Sequence, residues 1–148
     1  MKKSAGFSIF ELLIVIAVIA VVSAIVTPNI ISWRNNAKLR GAADNLKGDL
    51  QMSKARAVRE RTPVTVTFTA TNYQVTYTDK NGNVQTVRNR KLPAGVRVDL
   101  DNTGFGAMGD KTEFNGRGIP VAGSARLVNT KGAQKSIVVS TLGRIRIQ

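Results

Sequence analysis

The C-terminal end of the chain carries two arginines separated by one residue, in Gly143-Arg144-Ile145-Arg146. On a β-strand, side chains two residues apart point to the same face, so Arg144 and Arg146 are expected about 6.6 Å apart, with Ile145 and Ile147 on the other face. Two parallel guanidinium groups suit successive phosphates of a nucleic acid. Charged side chains on a terminal strand also prevent edge-to-edge pairing of sheets. On the residue pattern alone, edge protection is the preferred interpretation.

The chain is strongly basic: 22 lysines and arginines stand against 9 acidic residues, a formal net charge of +13. This excess favours an anionic partner, either nucleic acid or phospholipid headgroups. Basic residues are spread from Arg34 to Arg146, so only the fold can decide whether they form one face. Those in the same third of the chain as the arginine pair are candidates to extend a phosphate-binding surface: Arg117, Arg126, Lys131 and Lys135.

Enzymatic chemistry is poorly supported by the residue types. The chain has no histidine and no cysteine, so it lacks the usual general base, thiol nucleophile and soft metal ligands. Asp99 and Asp101 have the oxygen ligands for a cation, but a solvated pair beside a loop is the simpler interpretation. Residues 104–109 formally match a dinucleotide fingerprint, yet no helical pattern follows to hold a phosphate. We therefore predict no enzymatic activity, metal or cofactor, and a flexible loop over residues 101–110.

Glu11 is the only charge in an apolar run over residues 7–26. A helix of about 20 apolar residues spans the roughly 30 Å hydrocarbon core of a bilayer. A carboxylate within such a span is costly, so it normally has a partner or a function. Lys2 and Lys3 precede the run, which places the N-terminus in the cytoplasm. We predict a membrane-spanning helix over residues 7–28.

The start of the chain combines a short basic leader ending in Gly6, then Phe7, with Glu11 fifth and Pro28 twenty-second after the glycine. This pattern resembles the class III leader of type IV pilins and pseudopilins. The resemblance implies that a prepilin peptidase cuts between Gly6 and Phe7, removing residues 1–6, and methylates Phe7. It also implies that Glu11 pairs with the N-terminal amine of a neighbouring subunit in a filament. Ordinary signal peptidase cleavage after Ala24 is the weaker alternative, because the run exceeds a usual signal core and contains Glu11.

The helical pattern continues over residues 29–62 as an amphipathic helix that Pro63 ends. Its apolar positions recur at three- and four-residue steps: Trp33, Ala37, Leu39, Ala42, Ala43, Leu46, Leu50 and Ala57. Charged residues, Asp49 and Arg56 among them, are assigned to the opposite, solvated face.

Residues 63–148 show two-residue alternation broken by turn signals, which predicts a β-rich domain. Predicted strands cover residues 64–70, 73–77, 84–87, 94–100 (after Pro93), 112–114, 125–128, 135–140 and 144–147. We therefore predict the α+β class, with a long N-terminal helix packed on an antiparallel β-sheet system.

The C-terminal third resembles the GspH/FimT family of minor pilins and pseudopilins, in residues 114–118, 136–140 and 143–146. In minor pilins of the FimT type, the Gly-Arg-x-Arg element is associated with DNA capture during natural transformation, so the resemblance implies that Arg144 and Arg146 contact DNA. It also implies a single-pass protein of the bacterial inner membrane, with a periplasmic C-terminal domain and other pilin subunits as partners.

Two functions follow from these features. In the first, the protein is a minor type IV pilin whose basic domain, with a mature net charge of 13 − 2 = +11, binds DNA without sequence preference. In the second, it is a structural pseudopilin of a type II protein secretion system that does not bind DNA. The first predicts that the domain from about Asn29 binds duplex DNA with a steep salt dependence.

Overall fold

The computed structural model describes residues 7–148, except the side chains of residues 25–29. The leader predicted over residues 1–6, including Gly6, lies outside the described residues. The chain divides into two compact units, Met1–Arg34 and Asn35–Gln148. Helix α1 has the bounds Ile9–Glu60 and therefore contributes to both units.

In the first unit, α1 begins after Ser8, whose hydroxyl accepts a hydrogen bond from the Phe10 amide at 3.3 Å, as an N-cap does. The large apolar side chains described here are exposed, including Phe7 and Ile9. Within the described part of the chain, no helix combines the length and the apolar character needed to cross a membrane. The membrane span over residues 7–28 stays a prediction.

In the second unit, α1 buries one face in the core of the domain. The buried apolar residues of this face are Leu39, Ala42, Ala43, Leu46, Leu50 and Ala57, which confirms most of the predicted stripe. Trp33 and Ala37 are exposed, so the buried stripe is shorter than predicted. Asp49 is buried at 5% exposure, so its assignment to the solvated face is wrong.

The strands form two four-stranded antiparallel sheets. Sheet A has the order β3-β2-β1-β5, from Val64–Phe68 (β1), Asn72–Thr78 (β2), Val84–Lys91 (β3) and Lys111–Phe114 (β5). Sheet B has the order β4-β6-β7-β8, from Val96–Val98 (β4), Gly123–Asn129 (β6), Gln134–Val139 (β7) and Ile145–Ile147 (β8). Each predicted strand has a counterpart, although the one predicted after Pro93 is shorter, being reduced to β4. The α+β prediction is confirmed.

The glycine-rich segment over residues 101–110 is anchored to the core, unlike the flexible loop we predicted. Phe105 is fully buried and its ring stacks on Phe68, with centroids 5.4 Å apart. Two short 3-10 helices, Leu100–Asn102 and Gly106–Met108, lie within or beside the segment. Gly123 permits this packing, because a Cβ there would lie 2.1 Å from the carbonyl oxygen of Gly104.

Candidate nucleic-acid interface

Strand β8 presents the C-terminal arginine pair at one edge of sheet B. Ile145 is buried at 8% exposure, whereas Arg144 and Arg146 are exposed. The predicted alternation is therefore confirmed, although Arg144 immediately precedes the strand. Its backbone is nevertheless fixed, because its amide donates to Ser140 Oγ at 3.1 Å and its carbonyl accepts from the Ser140 amide at 2.9 Å.

The register of sheet B places two more arginines on the same face as this pair. Arg146 lies opposite Val138, Arg126 opposite Ser136, and Arg97 opposite Val128. Because each alternates with buried residues, all point to the outer face of the sheet. We call Arg97, Arg126, Arg146 and Arg144 the arginine row; it crosses the sheet diagonally, from one edge strand to the other.

The arginine row keeps its charge unpaired. None of its members forms an ion pair within the described residues. The sequence has no acidic residue over residues 114–148. One acid, Asp99, adjoins the row two residues after Arg97; its amide donates to the carbonyl of Arg126, and its carboxylate accepts from the side chain of Asn102. The outer face of sheet B is therefore a surface on which cations outnumber anions.

The loop that carries Arg117 adjoins the Gly143 turn, which precedes the arginine pair. Arg117 is exposed on the β5–β6 loop, whose turn is held by the side chain of Asn115. The next residue, Gly118, packs on α1, because a Cβ there would lie 2.7 Å from Val58. A Cβ at Gly143 would lie 3.2 Å from the Gly118 carbonyl oxygen, so the two loops adjoin.

The two lysines predicted to extend the surface do not join the arginine row. Lys135 lies next to Ser136 and two residues before the buried Ile137 on β7. Its side chain therefore points to the same face as Ile137, which is the opposite face of sheet B from the arginine row. Lys131 lies in the β6–β7 turn, at the end of β7 opposite to Arg144. Arg97, in contrast, was not identified from the sequence, although its position between two buried valines is a signal that could have revealed it.

A second arginine cluster, on sheet A, was also not identified from the sequence. The carboxylate of Asp49, on α1, forms ion pairs with Arg88 Nη1 at 3.1 Å and with Arg90 Nε at 2.9 Å. The Tyr73 hydroxyl donates to the same carboxylate at 2.6 Å. Burial, together with this bond, raises the pKa of Tyr73. Asp49 lies between Leu46 and Leu50 in the apolar period of α1, which is the signal that it faces the core.

In the first unit, Phe7 is 75% exposed and Glu11 lies in the first turn of α1. A carboxylate in this position is stabilised by the helix dipole, and Ser8 with Glu11 has the spacing of a capping box. This local role is an alternative to the predicted pairing with a neighbouring subunit. Within the described residues, no group of three or more histidine, cysteine, aspartate or glutamate side chains is arranged to hold a metal ion.

Two family models together match most of the chain. Residues 42–143, more than half of the chain, match the family model described as Type II transport protein GspH. Residues 1–27 match the prokaryotic N-terminal methylation motif. The chain is also 24% identical over 148 residues to the competence protein ComGD of Bacillus subtilis, covering 100% of this chain and 96% of that protein.

Solved structures with a similar fold include the minor pseudopilin EpsH from the type 2 secretion system of Vibrio cholerae. That likeness has a TM-score of 0.64 at 11% identity and covers 75% of this chain and 96% of EpsH. The type IV minor pilin FimU of Pseudomonas aeruginosa gives a TM-score of 0.59 at 16% identity, covering 78% and 92%. Escherichia coli GspH gives 0.61 at 13% identity, covering 76% and 89%. These likenesses establish the fold.

Proposed function

The chain belongs to the GspH family of minor pilins and pseudopilins, and from that premise we propose that it is a filament subunit whose arginine row binds the phosphate backbone of DNA. The binding is independent of sequence, as in DNA uptake for natural transformation. The chain acts by binding and assembly and not as an enzyme, which accords with its lack of histidine and cysteine.

The N-terminal segment supplies the anchoring and assembly steps of this proposal. A prepilin peptidase cleaves before Phe7 and methylates its new amine, and the segment that follows holds the protein in the membrane until it enters the filament. Glu11 then pairs with the amine of a neighbouring pilin or pseudopilin subunit. The match of residues 1–27 to the methylation motif supports this sequence of events.

The observation that carries the DNA-binding proposal is the unpaired arginine row on the outer face of sheet B. Four guanidinium groups lie on one face of a sheet, in a domain whose last 35 positions, residues 114–148, contain no acid. Guanidinium groups match phosphate oxygens in geometry, and contacts to phosphates position a protein without reading sequence. The similarity to a competence protein supports the same proposal, since competence is the capacity to take up external DNA.

The proposal is tested with the full-length chain in a nonionic detergent and two fluorescent duplexes of unrelated sequence. We expect equal affinities for both duplexes and a steep fall with salt. Replacing Arg144 and Arg146 together by glutamine removes two phosphate contacts. The negative slope of log K against log salt therefore becomes smaller in magnitude by about 1.8, and the affinity at 0.1 M salt falls roughly 30- to 100-fold.

The matched control replaces two exposed lysines by glutamine: Lys80, in the β2–β3 turn, and Lys91, the last residue of β3. It removes the same net charge from a surface outside the arginine row, so we expect a change of less than about threefold. Equal losses in both double variants would contradict the proposal, because they would show that net charge alone attracts the DNA.

The second candidate function is that of a structural pseudopilin in a type II secretion system. The family model and the fold shared with EpsH and GspH favour it. In this case the arginines only protect the exposed edge of β8 from pairing with other sheets. Absence of DNA binding by the wild-type chain at low salt would favour this second function.

A further inference from the structure

A groove beside the arginine row brings a third cation, from α1, next to the arginine pair. The groove has a volume of about 770 Å³, and its lining includes Lys54, Leu142, Arg144 and Arg146. Lys54 lies 89 residues from Gly143 along the chain, so no pattern in the sequence connects them. All of these residues belong to the same unit of the chain, Asn35–Gln148.

Lys54 is held in place by the turn that precedes Arg144. Its Nζ donates to the carbonyl oxygen of Gly143 at 3.0 Å. Gly143 has a φ of +72°, and a Cβ there would lie 2.7 Å from that Nζ, so glycine allows the ammonium group to approach the turn. The stem of Lys54 packs against Gly118, because a Cβ at that glycine would lie 3.5 Å from both the Cγ and the Cε of the lysine.

The ammonium group retains donors for a ligand. An ammonium has three N–H donors, and within the described residues Lys54 makes one hydrogen bond and no ion pair. The residues that line the groove include no aspartate or glutamate. Three cations therefore face one groove with no carboxylate side chain between them, which is the electrostatic arrangement that binds a phosphate group.

We propose that Lys54 is the third cation of a phosphate-binding groove formed with Arg144 and Arg146. This inference rests on the proposed function for the identity of the macromolecule, DNA, and it adds a contact from the helix to those of the sheet. Lys54 also orders the Gly143 turn, so that Arg144 is presented to the phosphate in one position.

The first experiment replaces Lys54 by methionine, which keeps most of the aliphatic stem against Gly118 but removes the charge. Loss of one phosphate contact lowers the slope of log K against log salt by about 0.9, and the affinity of the full-length chain for duplex DNA by about five- to tenfold at 0.1 M salt. Lys54→Arg restores most of the slope. Lys80→Met, which removes a lysine from the β2–β3 turn, leaves the slope unchanged.

A fall in affinity with an unchanged slope would overturn the proposal, because Lys54 would then act only on the structure of the turn. Equal behaviour of Lys54→Met and Lys54→Arg would overturn it as well. Thermal unfolding of each variant, followed by circular dichroism, verifies that the domain remains folded.

A second experiment separates this inference from the proposed function. Inorganic phosphate is titrated into the isotope-labelled full-length chain, and the amide resonances of Gly143 and Arg144 are followed by NMR. We expect shifts that saturate in the wild type and are lost in Lys54→Met. If these shifts occur while duplex DNA does not bind, the groove stands and the DNA proposal fails. Identical titrations of wild type and Lys54→Met would refute the groove.

Discussion

Strands β3 and β8 are both edge strands, and each is associated with two arginines separated by one residue, yet the two pairs have different surroundings. Arg88 and Arg90 both lie within β3, whereas Arg146 lies in β8 and Arg144 immediately precedes it. Arg88 and Arg90 of β3 bind the carboxylate of Asp49, whose side chain is only 7% exposed. Arg144 and Arg146 lie on the outer face of sheet B, away from any ion pair within the described residues. The same spacing thus produces an internal ion-pair cluster in one sheet and a free cationic surface in the other.

The difference follows from the location of the acids. A buried carboxylate is costly unless it is paired and hydrogen-bonded, so Asp49 retains both guanidinium groups and the Tyr73 hydroxyl. No acid occurs over residues 114–148, so nothing from β6, β7 or β8 neutralises the arginines there. An Arg-x-Arg pattern therefore leaves its charge free only where the fold supplies no carboxylate to pair with it.

The largest effect is expected from removing the acid of the sheet A cluster. Asp49→Ala leaves Arg88, Arg90 and the Tyr73 hydroxyl without their acceptor, and we expect a loss of about 2 to 3 kcal/mol in the free energy of unfolding. The arginines are 40% and 32% exposed and regain water, which limits the loss. Urea unfolding measures it. DNA affinity should stay within about twofold, because the variant leaves sheet B intact.

Tyr73→Phe should have a smaller effect on the same cluster. It removes the 2.6 Å hydrogen bond to Asp49 but leaves both ion pairs, so we expect a loss of about 1 kcal/mol in the free energy of unfolding. An unchanged stability would show that the arginines alone satisfy the carboxylate.

The pH dependence of stability provides a further test of this tyrosine. Because burial raises the pKa of Tyr73 above its value in the unfolded chain, the protonated phenol contributes its full stabilisation below about pH 10. That contribution is lost as the pH rises towards the folded-state pKa. Unfolding free energies measured at several pH values above 10 should fall more steeply for the wild type than for Tyr73→Phe.

A carboxylate introduced at the centre of the arginine row should neutralise part of its charge, as Asp49 does for the arginines of sheet A. Ser136 lies opposite Arg126 in the sheet B register, so Ser136→Glu places a carboxylate within the arginine row. We expect DNA affinity to fall about five- to tenfold at 0.1 M salt, since one cation is neutralised and the phosphates are repelled. Ser136→Gln is the isosteric control and should bind as the wild type does. Equal binding by both variants would contradict a role for Arg126.

The smallest effect is expected on the stability of the double variant Arg144→Gln, Arg146→Gln. Both side chains are exposed and free of ion pairs within the described residues, so the free energy of unfolding should change by less than about 0.5 kcal/mol. A loss of more than about 1 kcal/mol, measured by urea unfolding, would show that the pair is structural like that of sheet A.

Most of the secondary structure could be predicted from local patterns. The alternation of Val64, Val66 and Phe68 appears as β1, and the end of α1 lies at Glu60, close to Pro63. The errors occur where long-range packing overrides a local rule. Asp49 was assigned to solvent because it is charged, whereas α1 buries it beside Tyr73. The glycine-rich segment was taken as flexible, whereas Phe105 anchors it in the core.

The sequence alone determined the class of the fold and the orientation of Arg144 and Arg146, because helix and strand periodicities are local properties of the chain. It also revealed the N-terminal methylation motif, which residues 1–27 match, since this motif is a contiguous pattern. Only the tertiary structure decided which arginines are neutralised and which remain free. That outcome depends on strand register and on contacts such as Lys54 with Gly143, which join residues far apart in the chain.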